Sequence, residues 1–302
     1  MANMKNSTLC VLGCGNLGSA ILKSLIDRPQ DQKAAVLFTR FIASVRSQES
    51  EHRLTAQFSA YSQNLSISRD SLNAVQESDI VVLAVDPAVV ETVLLTAGLR
   101  DALADKLLIS VAAGWTRQKL ETTLYGSPTT SENTKGRTWV VRTLPNIAAS
   151  VSQSLTAIEI SEPELPDQYR QITDAIFSNL GKTVHIPPSW MDATTAVAGS
   201  TPAFFAVIVD AMIDAAVAVG VPRDMARAMM VQAMQGTATL LQSGMHPAVL
   251  KDQGTLPEGC TIGGLMILEE AGVRGHVGRA LREAVTIARL MDGTRHVNDT
   301  RQ

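Results

Sequence analysis

The feature that most constrains the fold is a glycine-rich turn near the start of the chain. An apolar run at residues 9–12 leads directly into Gly13-Cys14-Gly15-Asn16-Leu17-Gly18, and a helix-like segment follows at residues 19–26. The spacing G-x-G-x-x-G between a strand and a helix is typical of dinucleotide-binding sites. Its glycines permit a tight turn, close approach of the backbone to a pyrophosphate, and packing of helix on strand. We therefore predict a dinucleotide site built by Gly13, Gly15, Asn16, Leu17 and Gly18, with the phosphates at the helix N-terminus.

The rest of the chain divides into two patterns. From residue 7 to about residue 180, short β-branched runs alternate with helix-like segments, which predicts a parallel sheet covered by helices. After Pro187-Pro188 only helical segments follow, with Gly220, Gly244 and Gly272 at their predicted ends. The predicted fold class is α/β, with a Rossmann-type dinucleotide-binding domain at residues 1–181 and an all-helical dimerisation and substrate domain at residues 182–302. The helices are apolar on more than one face, so we expect a homodimer or a larger oligomer of dimers.

The end of the second strand indicates which dinucleotide binds. An NAD site places an acidic residue about 20 positions after the glycines, but here the strand is predicted to end at Val36-Leu37-Phe38-Thr39-Arg40. Thr39 and Arg40 are suited to hold a 2′-phosphate through charge-assisted hydrogen bonds, so we expect NADPH in preference to NADH. The alternative is that Arg40 and Arg46 are solvated charges, in which case the preference between the two cofactors would be weak.

Two further strand ends are candidates for the cofactor site, because open α/β sheets bind ligands at the carboxyl ends of their strands. One is Ala84, Val85 and Pro87, and the other is Ala112, Ala113 and Gly114. The alternative is ordinary turn chemistry, in which Pro87 begins one helix and Thr116 caps another. The stretch at residues 125–137 is rich in Gly, Pro, Ser, Thr and Asn, and we expect a mobile surface loop there.

Composition excludes several classes of protein. The 302 residues carry a net charge of −3 with no basic stripe, so nucleic acid is not an expected partner. The three cysteines, Cys10, Cys14 and Cys260, form no disulfide framework or metal-ligand pattern, so we expect a reducing compartment and no metal.

We expect a cytoplasmic protein that does not enter a membrane. The N-terminus lacks the long apolar core and cleavage site of a signal peptide. Residues 202–221 approach membrane-spanning length but carry Asp210 and Asp214, and carboxylates inside a bilayer are costly. We interpret this stretch as a buried helix of a soluble protein.

Several motifs, in order and spacing, resemble the pyrroline-5-carboxylate reductase family over nearly the whole chain. In the first half these are the glycine-rich turn with Ser19-Ala20-Ile21, Leu83-Ala84-Val85-Asp86-Pro87, Ser110-Val111-Ala112-Ala113-Gly114 and Arg142-Thr143-Leu144-Pro145-Asn146. In the second half they are Gly199-Ser200-Thr201-Pro202-Ala203-Phe204, Leu250-Lys251-Asp252 and Pro257-Glu258-Gly259-Cys260-Thr261-Ile262-Gly263-Gly264-Leu265.

The resemblance implies reduction of a small cyclic imino acid by NAD(P)H, and a helical domain that intertwines with its twin. It places Asn146 near the nicotinamide and Thr261 against the substrate, the two residues predicted to be catalytic. The substrate loop would comprise Leu256, Gly259, Thr261, Ile262 and Gly263, and the N–H groups of the last three would cradle the carboxylate at a helix start. Thr261 could instead, or in addition, be the N-cap of a helix at residues 262–271.

Departures from the family pattern leave the substrate open. Thr201 and Glu258 stand where glycine is usual, Leu256 replaces a small hydroxyl residue, and Ile147-Ala148 replace Thr-Pro. Such changes can shift selectivity by ~1 to 3 kcal/mol. Proline synthesis is favoured, and a specialised reductase that makes pipecolate or a methylated proline is the alternative.

Two functions of other kinds are also open. One is a catalytically silent NADPH-binding regulator, which keeps the fold without the activity. The other is a β-hydroxyacid dehydrogenase, but its chemistry calls for a lysine on the long interdomain helix, and residues 204–219 contain none.

Overall fold

The computed structural model describes residues 7–27 and 38–291, and an eight-stranded sheet organises the first two thirds of the chain. Its strands are β1 (Ser7–Leu12), β2 (Phe38–Ser44), β3 (Leu65–Ser68), β4 (Ile80–Leu83), β5 (Leu107–Ser110), β6 (Trp139–Leu144), β7 (Ser154–Glu159) and β8 (Gly181–Ile186). They lie in the order β3-β2-β1-β4-β5-β6-β7-β8, and neighbours are parallel except the antiparallel pair β6 and β7. The order reverses between β1 and β4, where doubly wound sheets bind dinucleotides. This confirms the predicted α/β class.

Helices cover both faces of the sheet. They are α1 (Asn16–Ile26), α2 (Gln48–Gln57), α3 (Ser71–Gln76), α4 (Val90–Leu94), α5 (Leu99–Ala102), α6 (Arg117–Tyr125) and α7 (Asp167–Ser178). Because side chains alternate along a strand, Leu9 and Val11 face one layer while Cys10 and Leu12 face the other. The first layer buries side chains of α1, α2 and α7, and the second buries side chains of α3, α4, α5 and α6. Each face therefore has its own apolar core.

The remaining elements are helical. They are α8 (Met191–Thr194), a π-helix (Thr195–Ser200), α9 (Thr201–Ala218), α10 (Arg223–Gln242), α11 (Pro247–Gln253), α12 (Cys260–Glu270) and α13 (Val273–Leu290). Two compact units result, one from Met1–Gly199 with Val285–Gln302 and one from Ser200–Ala284. The sheet-bearing unit extends past the predicted boundary at residue 181, because β8 pairs along its length with β7.

The long helix α9 is apolar yet poorly covered within one protomer. Among its side chains Ile213 alone is buried, while Phe205, Val207 and Met212 are exposed. By length and composition the stretch Pro188–Ala218 is apolar enough to cross a membrane, with a mean hydropathy of 1.7. Apolar side chains exposed at this density require a covering partner.

A network of buried charges joins four elements of the sheet-bearing unit. Arg117 of α6 pairs with Glu121 one turn later over 2.7 Å, and its Nε lies 3.9 Å from Glu159 of β7. Arg142 of β6 lies 4.0 Å from Glu159 and pairs with Asp192 of α8 over 3.1 Å. Four of these five side chains are less than a tenth exposed. Three carboxylates share two guanidinium groups, so the network carries excess negative charge.

Glu159 is the carboxylate of this network whose pKa is shifted. Burial raises the pKa of Glu159, the attraction of Arg142 and Arg117 lowers it in part, and repulsion by Glu121 and Asp192 raises it again. Neither arginine is within ordinary hydrogen-bond distance of Glu159, so no hydrogen bond from a guanidinium offsets the burial that raises its pKa.

The segment predicted to be a mobile loop is fastened to this region. The Thr129 N–H donates to Glu121 Oε2 over 2.9 Å, which places the loop on the buried charge network. Arg137 donates to Ser127 Oγ over 2.8 Å, and its guanidinium lies 4.7 Å from the centre of the Tyr125 ring. Small polar residues here build an anchored turn and not a free loop.

We predict that Glu159→Gln becomes progressively more stabilising, relative to the wild type, as the pH rises above ~4.3. A carboxyl whose pKa is raised by folding contributes its full stability below the unfolded pKa. That contribution is lost as the pH rises through the folded pKa, at about 1.4 kcal/mol for every tenfold change in proton affinity. Chemical denaturation of both proteins across the pH range measures the difference.

Glu121→Gln is the matched control for this prediction. It weakens the acceptor that pairs with Arg117 at 2.7 Å and takes the Thr129 N–H, so it should lower the free energy of unfolding at neutral pH by about 1.5 to 3 kcal/mol, the range of a hydrogen bond to a charged group. Parallel stability curves for the wild type and Glu159→Gln would contradict the account of Glu159.

Candidate functional site

The glycine-rich turn joins β1 to α1 at the reversal point of the sheet. Gly13 has φ +94°, in the left-handed region, and its N–H donates to the Ser44 carbonyl oxygen over 2.9 Å. Gly15 is the N-cap of α1, and no side chain caps this helix. The first helical hydrogen bond runs from the Ser19 N–H to the Gly15 carbonyl oxygen. The N–H groups that precede Ser19, including those of Asn16 and Leu17, are therefore available to an anion.

The three glycines fit the roles that a bound pyrophosphate requires. A Cβ on Gly13 would lie 2.6 Å from the Val85 backbone nitrogen, and a Cβ on Gly18 would overlap the Gly13 carbonyl oxygen. Both positions are closed by neighbouring backbone. A Cβ on Gly15 would meet no atom within 4 Å. The space beside Gly15 is open at the bare end of α1, so the residues present fit a dinucleotide there.

The loops after β4 and β5 continue the same edge of the sheet. The Ala84 N–H donates to the Leu12 carbonyl oxygen over 2.8 Å, which holds the β4 loop beside the end of β1. Trp115 Nε1 donates to the Pro87 carbonyl oxygen over 2.8 Å and ties the β5 loop to the β4 loop. The structure thus brings together on this edge the predicted residues Ala84, Val85, Pro87, Ala112, Ala113 and Gly114.

Thr39 and Arg40 lie at the opposite edge. The prediction that the second strand ends at Arg40 is wrong, because β2 begins at Phe38 and continues to Ser44. Val36 and Leu37 lie outside the described residues. Arg40 stands opposite Thr8 near the start of β1, and its guanidinium pairs with Glu77 over 2.6 Å. The structure therefore does not bring Thr39 or Arg40 to the carboxyl edge.

Arg46 and Ser47 occupy the place after β2 that was predicted for Thr39 and Arg40. They follow the true end of β2, and Ser47 is the N-cap of α2, where its hydroxyl accepts from the Ser50 N–H over 3.2 Å. An N-cap serine before the polar helix Gln48–Gln57 was the signal that could have located this strand end.

Asn146 follows β6, and its side chain is held on two sides. Its Oδ1 accepts from the Ala148 N–H over 3.0 Å, and its Nδ2 donates to the Ala198 carbonyl oxygen of the π-helix over 2.8 Å. Its backbone N–H donates to Ser154 Oγ over 3.0 Å. An amide can make further hydrogen bonds, so these contacts leave one N–H and one lone pair for a ligand.

The predicted substrate loop leads into α12, whose start differs by two residues from the prediction. The N-cap is Gly259, the helix begins at Cys260, and no side chain caps it. The prediction of Thr261 as N-cap is therefore wrong, and its exposed side chain stands at the second helical position. The Gly263 N–H, which was expected in the anion cradle, donates to the Gly259 carbonyl oxygen over 3.3 Å and so closes the first turn of the helix. The free N–H groups are those of Cys260, Thr261 and Ile262.

The loop before Gly259 contains a residue with an uncommon backbone conformation. Glu258 has φ +60°, in the left-handed region where a residue with a Cβ is uncommon. Leu256 is 71% exposed, and its carbonyl oxygen accepts from the Gly259 N–H over 3.1 Å. An apolar and an acidic side chain therefore stand beside the bare helix start.

The cysteines of the first unit are not poised for redox chemistry. Burial raises the pKa of Cys10 to about 12 and also raises the pKa of Cys14, so both thiols stay protonated at neutral pH. Within residues 7–27 and 38–291, no three His, Cys, Asp or Glu side chains gather in a way that would hold a metal ion.

Comparison with known families defines the class. Residues 8–114 match the family "NADP oxidoreductase coenzyme F420-dependent", and residues 188–291 match "Pyrroline-5-carboxylate reductase dimerisation". Together with the open glycine turn, these matches define an NADP-dependent oxidoreductase that forms homo-oligomers through its helical part. The matched dimerisation region contains α9, the helix whose apolar side chains are exposed in one protomer.

Full-length relatives narrow the class to a family. Pyrroline-5-carboxylate reductase of Lophium arboricola is 42% identical, over 97% of this chain and 96% of its own, and that of Neurospora crassa is 36% identical over the same shares. The solved reductase of Streptococcus pyogenes is 26% identical with TM-score 0.77, covering 94% of this chain and 98% of its own. The solved reductase of Plasmodium falciparum is 24% identical with TM-score 0.78, covers 96% of this chain and 100% of its own, and shares the fold. The chain belongs to the pyrroline-5-carboxylate reductase family.

Two alanine substitutions separate binding from folding at the glycine turn. Gly15→Ala should keep the melting temperature close to the wild type, since its Cβ meets open space and the loss of a glycine N-cap costs about 1 kcal/mol or less. It should weaken NADPH binding at least tenfold, because the Cβ occupies the space proposed for the pyrophosphate. Gly18→Ala should instead lower the free energy of unfolding by ~1 to 3 kcal/mol or more. Thermal unfolding without dinucleotide and titration with NADPH measure the two effects, and wild-type affinity in Gly15→Ala would exclude this cradle.

Proposed function

We propose that the protein uses NADPH to reduce the C=N bond of 1-pyrroline-5-carboxylate, giving L-proline, or of a closely related cyclic imino acid. The observation that carries the proposal is the bare N-terminus of α12, with Thr261 in its first turn, in a chain that matches pyrroline-5-carboxylate reductases over 97% of its length. This helix start offers N–H groups to a carboxylate without an arginine. Free, buried Cys10 and Cys14 support a reducing compartment, and we place the enzyme in the cytoplasm.

The cofactor part of the proposal rests on α1. NADPH supplies a hydride from C4 of its nicotinamide. The N–H groups at the start of α1 bind the pyrophosphate beside Gly15, and the helix dipole favours its negative charge. Arg46 and Ser47 follow β2 at the same edge, where a guanidinium and a hydroxyl suit a 2′-phosphate. We assign to Arg46 and Ser47 the role that was predicted for Thr39 and Arg40.

At the start of α12, the proposed role of the residues is to position the cyclic imine, an electrophile that needs little activation. The N–H groups of Cys260, Thr261 and Ile262 bind the carboxylate, which fixes the ring at the helix start. The Thr261 hydroxyl donates a hydrogen bond to the ring nitrogen or relays a proton through water. A cyclic imine is electrophilic, and more so when protonated, so no strong general acid is required. Asn146 holds the β6 loop on the π-helix through its bonds to Ala148 and Ala198.

A specialised ring is the second candidate. Exposed Leu256 and the left-handed Glu258 stand directly before Gly259, where the loop would meet substituents on the ring. Reduction of a piperideine-carboxylate to pipecolate, or of a methylated pyrroline, uses the same carboxylate cradle and the same hydride acceptor. An extra apolar contact of this kind changes selectivity by ~1 to 3 kcal/mol.

The proposal predicts turnover of the five-membered ring. Pyrroline-5-carboxylate and piperideine-6-carboxylate are offered separately to the purified protein, and loss of NADPH absorbance is followed. We expect rapid oxidation with the first substrate. A strong preference for the second would establish the specialised candidate, whereas silence with both would refute the proposal and favour a regulator that binds NADPH.

Thr261→Val tests the hydroxyl, and Thr261→Ser is its matched control. Valine keeps the branched shape but removes the donor, so kcat should fall about three- to tenfold, the effect of one hydrogen bond. Serine keeps the donor and should retain most of kcat. Affinity for NADPH should be unchanged in both variants. Wild-type kcat in Thr261→Val, or a loss in Thr261→Ser as large as that in Thr261→Val, would contradict the role assigned to the hydroxyl.

A further inference from the structure

One exposed arginine of α2 reaches the glycine-rich turn. Arg53 Nη2 donates to the Cys14 carbonyl oxygen over 2.9 Å, across 39 residues of sequence. That oxygen also accepts from Ser19 Oγ over 3.1 Å, so it has a donor without Arg53. Holding an arginine side chain in one place costs rotamer entropy, up to ~2 kcal/mol. The satisfaction of Cys14 alone does not explain why the guanidinium lies there.

The charge of Arg53 is not neutralised by a carboxylate of the described residues. The first turn of its helix carries Glu49 and Glu51, and Glu51 pairs with Arg69 over 2.9 Å. No carboxylate in residues 7–27 and 38–291 is within ion-pair distance of Arg53 or of Arg46. Two guanidinium groups without an acidic partner therefore belong to the segment that follows β2.

This segment adjoins the dinucleotide cradle. The Gly13 N–H donates to the Ser44 carbonyl oxygen over 2.9 Å, so the end of β2 and the glycine turn are in direct contact. Arg46 follows this strand end, and Arg53 returns to the turn from within α2. A 2′-phosphate carries a charge of about −1.5 to −2, which calls for more than one cation, the more so beside Glu49.

We propose that Arg53 is a specificity-determining residue that favours NADPH over NADH. Its bond to Cys14 fixes the guanidinium at the turn, and its remaining N–H groups bind the 2′-phosphate together with Arg46. The inference rests on the proposed use of NADPH. Arg53 adds a second, pre-positioned cation to the NADPH site. It does not contribute to the affinity for NADH, which lacks the 2′-phosphate.

The proposal is tested by titration calorimetry in the absence of any imino acid. The measured quantities are the dissociation constants of NADPH, NADH and adenosine 2′,5′-bisphosphate. Arg53→Gln should weaken NADPH and the bisphosphate by roughly tenfold to hundredfold, the loss of a charge-assisted hydrogen bond. NADH should change by less than about threefold. The NADPH affinity of Arg53→Lys should lie between those of the wild type and Arg53→Gln, since lysine keeps the charge but not the planar set of N–H donors. Arg40→Gln, whose guanidinium pairs with Glu77 at the other edge, is the control that should change none of the three constants.

The ratio of the NADPH and NADH constants separates specificity from loosening of the turn. A turn that is merely loosened holds both cofactors less well, so equal losses in Arg53→Gln would overturn the proposal, as would no loss at all. If the wild-type protein binds NADH as tightly as NADPH, the proposed cofactor fails as well. Absence of pyrroline-5-carboxylate turnover would refute the proposed reaction but leave the Arg53 result intact, because no substrate enters this experiment.

Discussion

The close approach of α1 to the end of β1 is the contact on which the rest of the structure depends. A Cβ at Gly18 would overlap the Gly13 carbonyl oxygen, and a Cβ at Gly13 would lie 2.6 Å from the Val85 nitrogen. Only glycine at both positions lets the helix start directly above the sheet and beside the β4 loop. That placement aims the free N–H groups of α1 at the point where the strand order reverses. The packing of α1 on the sheet therefore places free backbone N–H groups where an anion can bind.

The same principle accounts for both proposed ligand sites. Gly15 is the N-cap of α1 and Gly259 is the N-cap of α12, and neither helix has a side-chain cap. Each start can accept a phosphate or a carboxylate through backbone N–H groups, whose position is set by the helix and not by a flexible side chain. Buried charges serve a different purpose. The network around Glu159 ties β6 and β7 to α6 and α8, next to the Asn146 loop.

Features formed by neighbouring residues could be predicted from the sequence. Features that depend on strand register or on contacts between distant residues could not. The turn from β1 into α1 was predictable because glycine spacing, strand and helix are contiguous. The end of β2 was misplaced because the apolar run at residues 36–38 suggested a strand that stopped at Arg40, whereas β2 extends to Ser44. β3 has only a weak sequence signal, because Leu65–Ser68 is short and half polar. The buried charge network was not predictable, because its members come together only in the folded sheet.

The proposed reaction requires that a hydride passes from NADPH to the imine carbon of a small cyclic imino acid. This transfer can be followed with NADPH that carries deuterium at the transferable C4 position, with pyrroline-5-carboxylate as substrate and analysis of the product by NMR. We expect one deuterium atom per proline, on the ring carbon that was doubly bonded to nitrogen and in a single stereochemical position. Proline without deuterium, or with deuterium on both faces of that carbon, would contradict hydride transfer from bound NADPH.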